Sequence, residues 1–196
     1  MRQRSGLRSQ HGRRARRQRG YTLVETAVVG ALTALLAAMA APSFVEWRAR
    51  DRVDAGAQAL RASLAFARSE AIRRGEPVSI CLLDREERCL PARGGRNSGS
   101  ADWASGWAVV ADAPNALTGR AVLRTQPHTD SVVIRGAANE IRFSPPAGQV
   151  IGGFRSFDIA PERDTAILGP NDGRRCIAIA AGGRARVAKG ACRNGA

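Results

Sequence analysis

An uncharged, alanine-rich stretch from Thr26 to Val45, with Glu25 just ahead of it and an arginine-rich head before that, constrains this chain more than any other feature. As an α-helix, Tyr21 to Ala41 rises about 31 Å, enough to cross the hydrocarbon core of a bilayer. Eight arginines and no acid precede it. The positive-inside bias therefore holds residues 1–20 in the cytoplasm and sends the C-terminal bulk outward. Glu25 is the only charge in the run. A carboxylate there meets the positive end of the helix dipole, and it is cheaper near the headgroups than at mid-bilayer.

The order Arg19-Gly20-Tyr21-Thr22-Leu23-Val24-Glu25 sets a basic leader, a glycine and an apolar helix with a carboxylate at its fifth position. It resembles the type III signal of type IV pilins and pseudopilins. That resemblance implies cleavage between Gly20 and Tyr21 by a prepilin peptidase and N-methylation at Tyr21. It also implies a role for Glu25 in assembly, pairing with the N-terminal amine of a neighbouring subunit. Tyr21 stands where phenylalanine is commoner and Thr26 where leucine is usual, and the leader is longer than most, which leaves the start codon open. A second reading takes Ala38-Met39-Ala40 as the end of an ordinary secretory signal, releasing a soluble protein that begins at Ala41. Against it, the apolar run exceeds a usual signal core and carries Glu25, and amphipathic spacing continues through Pro42.

After the anchor about 150 residues remain, enough for one globular domain. The net charge of +14 is uneven, because removing residues 1–20 takes away eight of the positive charges. After Asp172 the chain has Arg174, Arg175, Arg184, Arg186, Lys189 and Arg193 and no acid, which suggests a surface facing a polyanion or an acidic partner.

Past Pro42, the residues Phe44, Trp47, Val53, Ala57, Leu60, Leu64, Ala67, Ala71 and Ile72 recur mostly at three- and four-residue steps. That spacing predicts a half-exposed helix lying on a core. Pro42 is expected to kink it without ending it, and Gly75 and Pro77 to end it after Arg74. Arg61, Arg68 and Arg73 read as its solvated face. From Val78 the period becomes two. Strands are expected at Val78–Leu83, Gly106–Ala111, Ala121–Arg124, Val132–Arg135, Glu140–Phe143, Phe154–Ile159, Arg175–Ala180 and Arg184–Val187. The connections are short and non-helical, which calls for an antiparallel sheet. The expected fold is α+β, a long N-terminal transmembrane and amphipathic helix packed on an antiparallel β-sheet domain. Its segments are a cleaved leader (1–20), a transmembrane assembly helix (21–41), an amphipathic continuation (42–75) and a β domain (76–196).

Five later motifs narrow the resemblance. The helix end Ala67-Arg68-Ser69-Glu70-Ala71-Ile72-Arg73-Arg74-Gly75, the strand from Val78, Trp103-Ala104-Ser105-Gly106-Trp107, Phe143-Ser144-Pro145-Pro146-Ala147-Gly148 and the late Gly183-Arg184-Ala185-Arg186 together look like the GspH/FimT family of type IV pilin-like proteins. Packing explains Trp103 and Trp107 better than ligand stacking does, and Gly106 and Gly148 read as turn positions rather than phosphate binders.

Cys81, Cys89, Cys176 and Cys192 permit three connectivities in an exported domain. Neighbour pairing is expected, Cys81 with Cys89 and Cys176 with Cys192. A two-residue turn at Gly182-Gly183 would set Cys176 opposite Lys189, so the tail must fold back or the turn must be wider. A four-cysteine zinc site is the alternative, though the spacings lack the close pairs of zinc ribbons.

In FimT-like pilins a matching Gly-Arg-x-Arg element is associated with DNA capture, which the resemblance extends to Arg184 and Arg186. Arg174, Arg175, Lys189 and Arg193 would widen the patch. Two arginines two apart on a strand share a face and can reach successive phosphates. An edge strand that uses cations to block aggregation is the competing reading. With two histidines in the chain, one of them in the leader, no His-centred triad or metal cluster can be built. No enzyme and no cofactor are expected. The expectation is a minor pilin or pseudopilin of the inner membrane, single-pass, with its C-terminal domain in the periplasm and a filament tip as one possible destination. It would assemble with other pilin subunits in a type II secretion pseudopilus or a type IV pilus, DNA binding being the alternative function.

Overall fold

The computed structural model describes residues 20–92, 101–113, 119–150, 155–162 and 173–192. The leader up to Arg19, Phe154 at the head of one expected strand, Arg193 and parts of several connections between strands lie outside these residues. The chain divides into two compact units, Met1–Ala41 and Pro42–Ala196.

Helix α1, Leu23–Arg74, contributes to both. In the first unit Thr22 caps it: the Thr22 hydroxyl oxygen accepts from the Glu25 amide at 3.2 Å, and its carbonyl accepts from the Thr26 amide. Glu25 thus stands three residues after a threonine cap, the spacing of a capping box. Leu23–Ala41 has mean hydropathy 2.0 and no buried residue. Its hydroxyls are satisfied within the helix, Thr26 donating to the Leu23 carbonyl and Thr33 to the Val29 carbonyl, each at 2.9 Å. That matters where no water is available.

In the second unit the helix buries one stripe. Val53, Ala57, Leu60, Leu64, Ala67 and Ala71 are wholly buried and alternate steps of four and three, which keeps them on one face. Each leucine among them contributes about 1.5–3 kcal/mol through burial. Phe44, Trp47 and Ile72, expected on the same face, are instead 55%, 58% and 43% exposed. Trp47 precedes the first buried position by six residues, and Ile72 follows Ala71 directly, one step off the stripe. Gly75 ends the helix in the left-handed region (φ +67°), its amide bonding the Ala71 carbonyl at 3.1 Å.

Ten strands follow among the described residues: β1 (Val78–Leu82), β2 (Ala101–Asp102), β3 (Trp107–Asp112), β4 (Arg120–Gln126), β5 (Val132–Gly136), β6 (Glu140–Ser144), β7 (Gln149–Val150), β8 (Arg155–Pro161), β9 (Arg175–Ile179) and β10 (Ala185–Lys189). Every expected strand falls within two residues of an observed one, and the two-residue β2 and β7 were not expected. Instead of one sheet there are two, ordered β4-β3-β1-β6-β7 and β10-β9-β8-β5-β2, with every pairing antiparallel. Both contribute to a single core with α1, through Ile80, Leu82, Val109, Ile141 and Phe143 from the first and Ile134, Phe157, Ile159, Ile177 and Ile179 from the second. The fold is α+β.

A smaller cluster of Cys81, Leu83, Ala108 and Val110, with Cys89 against it, lies apart from the helix-facing residues of β1 and β3. The segment after β1 folds back over it: Asp84 accepts from the amides of Glu86 and Arg88 at 3.0 and 2.8 Å, and Leu83 bridges to Cys89. These bonds, led by that from Arg88, hold the Asp84 carboxyl below its ordinary range.

Candidate functional site

The C-terminal hairpin owes its geometry to its turn. Ile179 pairs with Ala185, the Ala180 amide bonds the Arg184 carbonyl at 3.2 Å, and the Gly183 amide bonds the Ala180 carbonyl at 2.8 Å. The loop is therefore three residues long, Ala181-Gly182-Gly183, the wider of the two turns left open by the sequence. Gly183 takes φ +75°, the left-handed third position such loops require. In this register Ala185 and Val187 pack toward the core while Arg184 and Arg186 are exposed. A slip of one residue would reverse them.

The odd loop sets Cys176 opposite Ala188. Gly190, at φ +91°, turns the tail back, its amide on the Arg174 carbonyl at 2.9 Å. Cys192 then meets Cys176 in a disulfide with Cα atoms 4.9 Å apart. Cys81 and Cys89 form the other, with Cα atoms 5.5 Å apart. Both pairings are neighbour pairings, and each connection stays within one sheet's surroundings rather than converging on a common four-sulfur site.

Of the six cations expected in the hairpin patch, Arg193 lies outside the described residues and two are engaged elsewhere. Arg175 is 8% exposed; its guanidinium pairs with Asp54 on α1, Nε to Oδ1 at 2.5 Å and Nη2 to Oδ2 at 2.9 Å. The inward alternation of β9 puts it there, and a buried arginine needs a carboxylate. Arg174 pairs with Asp158 on the neighbouring β8 at 2.5 Å. Arg184, Arg186 and Lys189 are exposed and carry no ion pair among the described residues.

Arg68 was expected on the solvated face, yet it ties the helix to two turns. Its Nε donates to the Gly182 carbonyl at 3.2 Å and its Nη2 to the Ala147 carbonyl at 3.0 Å. Gly148, at φ +66°, follows immediately, and a Cβ there would stand 2.6 Å from Arg68 Cγ. A Cβ on Gly183 would overlap the Gly148 carbonyl oxygen, and the Val150 amide bonds the Ala181 carbonyl at 3.0 Å. The Phe143–Gly148 motif and the glycine of Gly183-Arg184-Ala185-Arg186 are thus two sides of one contact. The spacing of Arg68 on its helix gives no signal of this, since its partners lie 79 and 114 residues away.

At the same helix end, Glu70 accepts from Arg73 (3.0 and 2.6 Å) and from Arg74 (2.7 Å). The bond from Arg73, then that from Arg74, lowers the Glu70 pKa from 4.5 to about 2. Trp103 and Trp107 are buried. Trp103 donates to the Ala138 carbonyl at 2.9 Å and sets its ring edge-on to Phe157 at 5.2 Å. Gly106 sits in a turn at φ +116°. Gly136, not singled out in the sequence, leaves room for those rings: a Cβ there would lie 2.7 Å from Phe157 and 2.9 Å from Trp103. Gly20 and Tyr21 are exposed ahead of α1, and Glu25 is exposed in its first turn.

The family model for type II transport protein GspH matches residues 56–183 of the 196. Among solved structures, crystal structures of the type IV minor pilin FimU from Pseudomonas aeruginosa share the fold. In space group P21 the TM-score is 0.52 at 23% identity, covering 71% of this chain and 90% of that one; in P65 it is 0.50 at 23% identity, covering 69% and 91%. No curated protein sequence matches the chain. Taken with an apolar helix that runs on into an antiparallel β domain, these matches make the chain a member of the GspH family of type IV pilin-like proteins.

Proposed function

We propose that this protein is a minor pilin or pseudopilin subunit that assembles through Leu23–Ala41 into a type II secretion pseudopilus or a type IV pilus. The observation that carries this is a 19-residue apolar helix segment with none of its residues buried. Such a rod requires lipid or sister helices around it. A prepilin peptidase and methyltransferase cut between Gly20 and Tyr21 and methylate Tyr21. The subunit waits in the inner membrane with its N-terminus cytoplasmic and its β domain periplasmic. Glu25 then pairs with the amine of a neighbouring Tyr21, so that two charges leave the water together rather than singly. The role is structural, with no reaction assigned to any side chain.

Mass spectrometry of the mature protein tests this. A terminus at N-methyl-Tyr21 is expected; an intact Met1 or a start at Ala41 overturns it. Glu25→Ala should leave the protein processed and membrane-bound but absent from sheared filaments.

A second reading, capture of DNA by the hairpin, is favoured by Arg186 on the edge strand and Arg184 just ahead of it, both exposed and without an acidic partner among the described residues. Changing both to alanine should weaken DNA binding across sequences and flatten its salt dependence by about one unit per lost phosphate contact. Undiminished retention on DNA at low salt defeats this reading.

A further inference from the structure

β10 is the outermost strand of its sheet, and the groove along it has a second wall. Asp54, Gln58 and Arg61 of α1 line that groove together with Arg175 and Ala185–Lys189. Their four- and three-residue spacing puts the three helix residues on one face of α1. Arg175 spends its guanidinium on Asp54, which offsets the one carboxylate in the groove. The uncompensated charges left are Arg61, Arg186 and Lys189, all cationic and all exposed. Among the described residues Arg61 makes only a 3.4 Å contact, to the neutral Gln58 amide oxygen.

We infer that Arg61, carried by the helix, joins Arg186 and Lys189 in a single groove that holds the phosphate backbone of DNA. This rests on the hairpin reading above and extends it to a residue outside the hairpin. Five strand residues span about 17 Å, so the groove is open and long, and its cations come from two separate elements. That shape suits an extended polyanion, each strand of which carries one phosphate per about 3.4 Å of duplex axis. A compact anion would call for converging donors in a closed pocket. Asp54, held by Arg175, keeps the floor neutral, so the cationic rim decides the sign.

The test is fluorescence anisotropy of a labelled duplex of about 30 base pairs with the full chain in zwitterionic micelles, titrated between about 50 and 200 mM salt. Arg61→Ala should weaken binding by about three- to tenfold and lower the slope of log affinity against log salt by about 0.9. Arg85→Ala removes the same charge from an exposed site that lines a different hollow and should change neither value. If Arg184→Ala/Arg186→Ala loses binding while Arg61→Ala matches the parent, the groove is overturned and the hairpin reading stands. If Arg61→Ala and Arg85→Ala weaken binding equally, net charge alone is responsible and the groove is again overturned. If the parent does not bind, the hairpin reading fails and the groove falls with it.

Discussion

Two stretches of one helix live by different rules. Leu23–Ala41 is apolar all round and wholly exposed, whereas the stretch from Val53 to Ala71 confines its apolar residues to a stripe that is wholly buried. Both have the same backbone geometry. The difference lies in what satisfies each surface: the first is left uncovered by the described residues, and the second is covered by two sheets of the same chain. A helix that is apolar on every side suits lipid or a bundle, and a striped one suits a core. In the proposed subunit, assembly and folding are thereby separated along one element.

The sharpest way to break this contrast is a matched pair of truncations. Leu64→Ala, in the buried stripe, should cost about 2–5 kcal/mol in urea unfolding of the full chain in micelles. Leu35→Ala, 61% exposed, should leave that transition in place; equal losses would erase the distinction. Next in size, Cys176→Ser with Cys192→Ser opens a loop of sequence separation 16 and should cost about 3 kcal/mol. That loss belongs to the β domain alone, so membrane retention should be unchanged. Arg68→Ala removes two bonds between helix and turns and should cost about 1–2 kcal/mol; an unaltered midpoint would mean that the stripe alone fastens α1 to the sheets.

The smallest effect is electrostatic. Folding lowers the Glu70 pKa from 4.5 to about 2, so the stabilisation from its arginine partners is fully present above about pH 4.5. It is lost as pH falls toward about 2. An NMR titration of the Glu70 carboxyl with a midpoint near 4.5 would show that Arg73 and Arg74 do not hold it.

Much of this was legible in advance because periodicity reports local surroundings. The stripe from Val53 to Ala71, the stop at Gly75 and eight of the strands follow from spacing and turn residues. Phe44 and Trp47 misled because they stand three apart like members of the stripe, but the six residues from Trp47 to Val53 set them off the face that is buried. A period of two says which residues share a face but not which sheet they join, so the division into two sheets was invisible. β2 and β7, at two residues each, are too short to show any period. At the candidate site, Arg184 and Arg186 were readable from their spacing on a strand. Arg175 was not: its partner Asp54 lies 121 residues earlier in the chain, and in composition alone it looks like one more surface cation. Arg68 was hidden for the same reason.

The bond from Cys192 back to Cys176 has a mechanical consequence. An outer strand is paired on one side only, so it can peel from a free end one rung at a time. Here the far end of that strand is stapled covalently to its inner neighbour. Tension applied at the fingertip is relayed into the adjoining strand, and the pair must yield together.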